Sequence, residues 1–171
     1  YAEPPHLFRN LGKKKFEAVA PKLGRALQQA VVGRGAAYGD LDNDGDLDLL
    51  LTSNNGPARL IRNDGGNQNN LLRIKAVGTA SNRDAIGAKI TLKMSDQAKL
   101  WNVIKTGSSY CSQSELPLTF GLGKAEKVAG VEILWPSGHI DTLADVNANQ
   151  SIVVQEGKGI ISAQPVVFAG P

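Results

Sequence analysis

Cysteine is nearly absent from this chain. Cys111 stands alone among 171 residues, so no internal disulfide can form and any stapling must come from packing or from a metal. That usage fits a reducing compartment and equally a bacterial secreted protein that relies on metal. Histidine is almost as scarce: His6 and His139 are the only two, which excludes a multi-histidine zinc site. Aromatic residues make up 5% of the chain, and the basic residues form no dense run interleaved with them, so nucleic-acid binding has no footprint here. No apolar run approaches the roughly 20 residues that a membrane-spanning helix needs. The opening YAEPPHLF lacks the charged start and long apolar stretch of a leader peptide.

What is present is the composition of a soluble globular protein, 42% hydrophobic and 20% charged, long enough to bury a core. The net charge of +3 hides a strong asymmetry. Residues 1–39 hold seven Lys and Arg against two acids, whereas residues 40–70 hold six Asp against two Arg. The acidity is local, and local acidity points to a cation site.

Runs of period two dominate. Leu49–Thr52, Leu71–Val77, Ala88–Met94, Val131–Trp135 and Ser151–Gln155 read as strands, separated by turn signals such as Asn54-Asn55-Gly56-Pro57 and Pro136-Ser137-Gly138. Only Lys22–Val32, rich in Ala, Leu and Gln, suits a short helix. The expected fold class is therefore all-β. A weak repeat relates Leu7-Phe8-Arg9-Asn10-Leu11-Gly12 to Leu60-Ile61-Arg62-Asn63-Asp64-Gly65, and such spacing suggests propeller blades or a solenoid. Two partial copies cannot close a propeller, which needs at least about four blades. The repeat stops at the Gly/Asn-rich joint of residues 65–70. The expected organisation is thus a blade-like segment at 1–68, a β-sandwich at 69–158 and an extended tail at 159–171.

The acidic segment reads GDLDNDGDLD. Counted from Asp40, it has the form D-x-D-x-D-G-x-x-D. Alternate aspartates send their carboxylates to one side, Gly45 allows a sharp turn, and Asp48 returns at the ninth position. Asp40, Asp42, Asp44 and Asp48 are side-chain ligand candidates, with Asp46 offering its backbone carbonyl. Such an all-oxygen, irregular shell suits Ca2+; Mg2+ prefers a tighter octahedron that keeps more water. An EF-hand would place Glu at position twelve and helices on both flanks, but that position is Leu51 and the flanks are strand-like. The loop reads as a calcium staple between two strands rather than a sensor.

With its flanks, Gly35-Ala36-Ala37-Tyr38-Gly39-Asp40 before and Leu47-Asp48-Leu49-Leu50-Leu51-Thr52 after, this loop resembles the FG-GAP/VCBS repeat. That repeat is a β-propeller blade found in integrin α chains and many secreted bacterial proteins. The segment with Phe8-Arg9-Asn10 and Phe16 looks like the end of a preceding blade. The remainder is similar to the ASPIC/UnbV domain, which follows such repeats in the cartilage acidic protein-like family and its bacterial members. It does so through Ser81-Asn82-Arg83-Asp84-Ala85-Ile86-Gly87-Ala88, Gly107-Ser108-Ser109-Tyr110, Phe120-Gly121-Leu122-Gly123 and Trp135-Pro136-Ser137-Gly138. The resemblance implies an extracellular or periplasmic setting, Ca2+ as cofactor and an interaction role, and supplies no activity. The chain departs from it in a pI near 9.0, where the family name says acidic, and in Cys111.

Other chemistry is sparse. Asn82, Arg83 and Asp84 form the most informative polar cluster, a candidate for holding a carboxylate or sugar, or else an Arg–Asp pair that pins the following strand. His139 and Asp141 with a serine or Cys111 could make a triad, but no Gly-x-Ser-x-Gly elbow accompanies them. Gly121-Leu122-Gly123-Lys124 reads as a hairpin turn, and Trp101 and Trp135 read as core or inter-domain packing. The function expected is a calcium-binding extracellular module for adhesion to a protein or glycan. The alternatives are a secreted hydrolase or lyase using Arg83, Asp84 and His139, and a cap on further propeller blades.

Overall fold

The computed structural model describes residues 1–168, and strands carry nearly all of its regular structure. The first two, β1 (Phe8–Gly12) and β2 (Lys15–Ala18), pair as a hairpin. Next, β3 (Gly33–Gly39), β4 (Asp48–Ser53) and β5 (Arg59–Ile61) form a three-stranded antiparallel sheet.

Eight further strands follow: β6 (Asn70–Val77), β7 (Lys89–Lys93), β8 (Lys99–Val103), β9 (Leu118–Gly123), β10 (Lys127–Leu134), β11 (Ile140–Asn147), β12 (Gln150–Gln155) and β13 (Gly159–Pro165). They build two four-stranded sheets, ordered β11-β10-β7-β8 and β13-β12-β6-β9. The β6–β12 pair is parallel and the other pairs are antiparallel. The chain is all-β, and none of its sheets closes on itself.

Period-two alternation explains the sandwich. Leu72, Ile74 and Ala76 of β6 point inward, as do Ile90 and Leu92 of β7, Val131 and Ile133 of β10, and Ile152 and Val154 of β12. Together they form one buried cluster that spans both sheets. Trp135 closes it from the end of β10. Its indole is buried, and Nε1 donates to Asp141 Oδ2 at 2.8 Å, so the ring's one polar atom is satisfied.

Several expectations are corrected. Lys22–Val32 forms no α-helix; Ala20–Lys22 and Arg25–Gln28 are separate 3-10 turns. Gly24 at φ 116° separates the two turns and Gln29 (φ −81°, ψ 122°) is already extended, so no continuous ladder forms there. Leu122-Gly123-Lys124-Ala125 does turn, the Ala125 amide bonding the Leu122 carbonyl, but it is no hairpin, because it carries the chain from β9 in one sheet to β10 in the other. The strand expected over Ala88–Met94 runs from Lys89 to Lys93. The sheet also continues past residue 158, because Gly159–Pro165 pairs along β12 as an edge strand; residues 169–171 of the expected tail lie outside the described residues. Trp101 is not core at all: it stands 63% exposed on β8.

Candidate metal centre and its junction with the sandwich

The aspartate loop joins β3 to β4. Those strands are antiparallel and in register, Gly39 opposite Asp48, so residues 40–47 are the tip of a hairpin. The tip turns through left-handed backbone at Asn43 (φ 60°) and Gly45 (φ 94°). Glycine is required at the second of these for a further reason. A Cβ there would lie 2.6 Å from Val166 Cγ1 and 3.2 Å from Leu71 Cδ2. The loop is therefore pressed against the outer face of β6 and the segment after β13.

Within the tip, one carboxylate oxygen from each of Asp40, Asp42 and Asp44 lies within 4.8 Å of the others. Asp44 Oδ1 also accepts the Asp46 amide at 3.0 Å. The other two candidates turn elsewhere. Asp48 spans the hairpin base, accepting the Leu41 amide at 3.1 Å on one oxygen and the Asn63 amide at 2.9 Å on the other. Asp46 accepts the Gly66 amide at 2.9 Å, which ties the tip to the joint before β6. So three of the five carboxylates converge, and two lace the loop to its neighbours.

Electrostatics marks the site. Asp40 Oδ1 and Asp46 Oδ1 are buried with no hydrogen-bond partner, an expensive condition for carboxylate oxygens. Burial pushes the Asp40 carboxyl up from its ordinary range, with Arg73 pulling it back and Glu115 adding to the rise. Burial likewise raises Asp46, opposed by the Gly66 amide and reinforced by the neighbouring aspartates. A cation fits this donor set: it is all oxygen, crowded with negative charge, and contains orphaned buried acceptors.

Sequence reading missed the counter-charge. Arg73, on the outward face of β6, donates through Nη1 to Glu115 Oε1 at 2.7 Å and through Nη2 to Oε2. Its Nη1 also stands 3.8 Å from Asp40 Oδ2. Glu115 in turn accepts the Asp40 amide at 3.2 Å. These residues come from three distant segments, and no local pattern announces the meeting. Replacing Arg73 with Met leaves two carboxylates facing each other with little solvent. We expect a loss of about 2–4 kcal/mol in urea unfolding, and substantial recovery when Glu115→Leu is added. A double variant no more stable than Arg73→Met would show that the pair contributes nothing as a pair.

The Asn82-Arg83-Asp84 cluster divides. Asn82 folds back on Ile86, accepting its amide and donating to its carbonyl, both at 2.8 Å. Arg83 and Asp84 are exposed and line a cavity of about 230 Å³ with Lys75, Ala76 and Val77, and no ion pair joins the two among the described residues. His139 is not among that cavity's lining residues; its ring pairs with Asp141 at 3.2 Å. The Ser137 hydroxyl bonds Glu156, and only the His139 backbone amide meets that oxygen. The three residues of the hydrolase reading thus do not share a pocket, and the serine nearest His139 is engaged elsewhere.

Glu156 is a second residue that sequence reading passed over. Although buried, it accepts three consecutive amides, Thr79 at 2.8 Å, Ala80 at 2.9 Å and Ser81 at 2.7 Å, on one oxygen. The other oxygen takes the Ser81 and Ser137 hydroxyls. Burial pushes its carboxyl up, but the bonds from Ser137, Ser81 and Thr79 outweigh that and hold it at about 2. It is a structural anion that ties the β6–β7 loop and the β10–β11 turn to the end of β12.

The chain is similar to cartilage acidic protein 1 of Homo sapiens, 34% identical over 137 residues that cover 77% of this chain and 20% of the relative. The Mus musculus protein of the same name is 33% identical over 77% of this chain and 21% of the relative. That of Xenopus tropicalis is 35% identical over 64% of this chain and 17% of the relative. The chain thus spans about a fifth of the length of these relatives. In the human comparison, a stretch covering 77% of the chain cannot avoid the aspartate loop wherever it begins. Residues 78–161, from just after β6 into β13, match the family described as ASPIC and UnbV.

Proposed function

We propose that this chain is a calcium-stabilised extracellular interaction module, in which an FG-GAP/VCBS-type blade segment is locked to the ASPIC/UnbV sandwich through its aspartate loop. The observation that carries the reading is the convergence of Asp40, Asp42 and Asp44 beside a buried, unbonded carboxylate oxygen. Those three residues would hold the cation, with the Asp46 carbonyl and water completing the shell, while Asp48 holds the hairpin base. The ion's contribution is positive charge where Arg73 supplies only part of what the aspartates need. Its role is structural, because the loop sits between paired strands and has no helix pair to open. An extracellular setting agrees with a single cysteine, with metal as the staple, and with the likeness to cartilage acidic protein 1. Extracellular calcium modules work at roughly 10⁻⁴–10⁻³ M, so a loop of this kind is filled outside cells. Titration calorimetry together with melting in Ca2+, Mg2+ and EDTA tests the proposal. Calcium should bind and raise the melting temperature, with magnesium far weaker; no heat and no shift would end it.

A second reading, a cap on propeller blades, is favoured by one observation. Residues 109–115 run along the open edge of β3. The Ala36 and Tyr38 amides donate to Ser109 Oγ and Ser114 Oγ, both at 3.2 Å, and the Glu115 amide donates to the Tyr38 carbonyl at 3.0 Å. Covering a sheet edge prevents further strand addition. A Cβ on Gly35 would lie 2.1 Å from Ser112 Oγ and 2.7 Å from the Tyr110 carbonyl. Gly35→Val is therefore expected to lift this strap and promote self-association by light scattering. A variant that stays monomeric with its strap displaced would deny the segment an edge-protecting role.

A further inference from the structure

The outer face of the β11-β10-β7-β8 sheet is unlike the other surfaces of the sandwich. Strand register places Thr142, Glu132, Thr91 and Trp101 in one row across it. In the row on one side, Lys89 is opposite Leu134; in the row on the other, Lys93 is opposite Lys99. Trp101 is 63% exposed and Leu134 43% exposed. The Lys89 ammonium sits 4.9 Å from the indole centroid. Lys93 pairs with Glu132 at 2.8 Å. The Lys93 bond lowers the Glu132 carboxyl most, and the charges of Lys99 and Lys89 add to the fall. The face thus combines a flat aromatic surface with surplus positive charge.

We propose that this face binds an anionic polysaccharide, with a sugar ring stacked on Trp101 and its carboxylate or sulfate groups held by Lys89, Lys93 and Lys99. Charge complementarity selects this occupant: three cations against one carboxylate leave an excess that a polyanion neutralises. The indole supplies what charge alone does not. The C–H face of a pyranose is apolar with slightly positive hydrogens, and it matches the negative face of an aromatic ring. A sheet surface suits a linear chain, since it offers a shallow row of contacts rather than a closed pocket. The lysines keep their heads in solvent, so their attraction is screened by salt, whereas stacking persists. The inference rests on the reading of this chain as an extracellular interaction module and names a ligand class and a surface for it. The surface lies away from the aspartate loop, so it stands or falls separately from calcium.

The test is titration of the intact chain with a heparin hexasaccharide and with neutral cellohexaose, followed by calorimetry and tryptophan fluorescence. Trp135 is buried, so a fluorescence change on binding reports Trp101. Trp101→Ala and Lys89→Ala/Lys99→Ala should each weaken heparin binding about tenfold, with melting temperatures near that of the parent. Cellohexaose should bind far more weakly. As a control for general basicity, Lys13→Ala/Lys14→Ala/Lys15→Ala alters the basic turn between β1 and β2. The proposal is overturned if only that control loses affinity, if the face variants bind like the parent, or if cellohexaose binds as tightly as heparin. It is also overturned if sedimentation shows a dimer that Trp101→Ala dissociates, since the face would then serve a second copy. A calcium titration of the parent beside the heparin titrations separates the two readings: absence of calcium binding refutes the staple, and unchanged heparin affinity in Trp101→Ala refutes this surface.

Discussion

Asp44→Ala is expected to abolish calcium binding and to remove the whole calcium-dependent rise in melting temperature. At a calcium level a hundredfold above Kd, mass action adds about 2.7 kcal/mol to the folded state. For a chain of this size that amounts to roughly 5–10 °C. Asp44 also accepts the Asp46 amide, so its loss should lower metal-free stability too. Asp42→Asn separates the two effects. Asp42 is exposed, and among the described residues no hydrogen bond engages it, so Asp42→Asn removes only a repelling charge: metal-free melting should equal or exceed the parent's while the calcium shift shrinks. If Asp42→Asn and Asp44→Ala both keep the full shift, calcium is not held at this loop. The pH dependence without metal has a definite sign. Asp40 and Asp46 have raised folded-state pKa values, so their contribution favours the fold while they are protonated and is lost as pH rises through the carboxylate range. Calcium should oppose that loss, and the gap between calcium and EDTA melting curves should widen with pH.

Glu156 behaves in the opposite sense, and replacing it is expected to weaken the sandwich strongly. Ala removes the shared acceptor of three consecutive amides, along with that of the Ser81 and Ser137 hydroxyls. Gln can keep its carbonyl toward the amides and turn its NH2 toward the hydroxyls, so it forfeits charge assistance but not the whole network. The expected order of urea midpoints at about pH 7 is parent, then Glu156→Gln, then Glu156→Ala. Since the folded carboxyl sits at about 2 against an ordinary 4.5, its stabilisation is complete above the unfolded value and lost as pH falls through that window. The parent should therefore approach Glu156→Gln as pH falls toward about 2. A gap of constant size from neutral pH downward would mean that ionised Glu156 does not carry the network.

The two carboxylate sites differ in how far the sequence reveals them. The aspartate loop stands out because its five acids lie within nine residues, so spacing alone nominates them as one group. Even there, local spacing did not show that Asp46 and Asp48 engage the backbone at Gly66, Leu41 and Asn63. The strands β4, β6, β7, β10 and β12 are legible because each alternates across a half-buried surface. Lys22–Val32 misleads because its composition favours a helix, whereas Gly24 and the extended Gln29 break one. Arg73, Glu115 and Glu156 were invisible because a charged residue on a strand looks the same whether it meets water or a partner tens of residues away. Trp101 was misjudged for a related reason: large aromatics usually pack inside, and only the fold shows which side of β8 faces out.

The parallel pairing of β6 with β12 has a consequence for the order of folding. The β3–β4–β5 sheet closes over short loops and can form as soon as its residues exist. Strand β6 has its partners only from Leu118 and Gln150 onward, on opposite edges. Closing such distant contacts is entropically slow. During synthesis, therefore, an apolar strand carrying Leu72 and Ile74 waits with both edges unpaired until Leu118–Gly123 has emerged, and with one edge still open until Gln150–Gln155 follows. The metal loop can be complete while the surface it docks on is not, and that interval is when this chain is most exposed to aggregation.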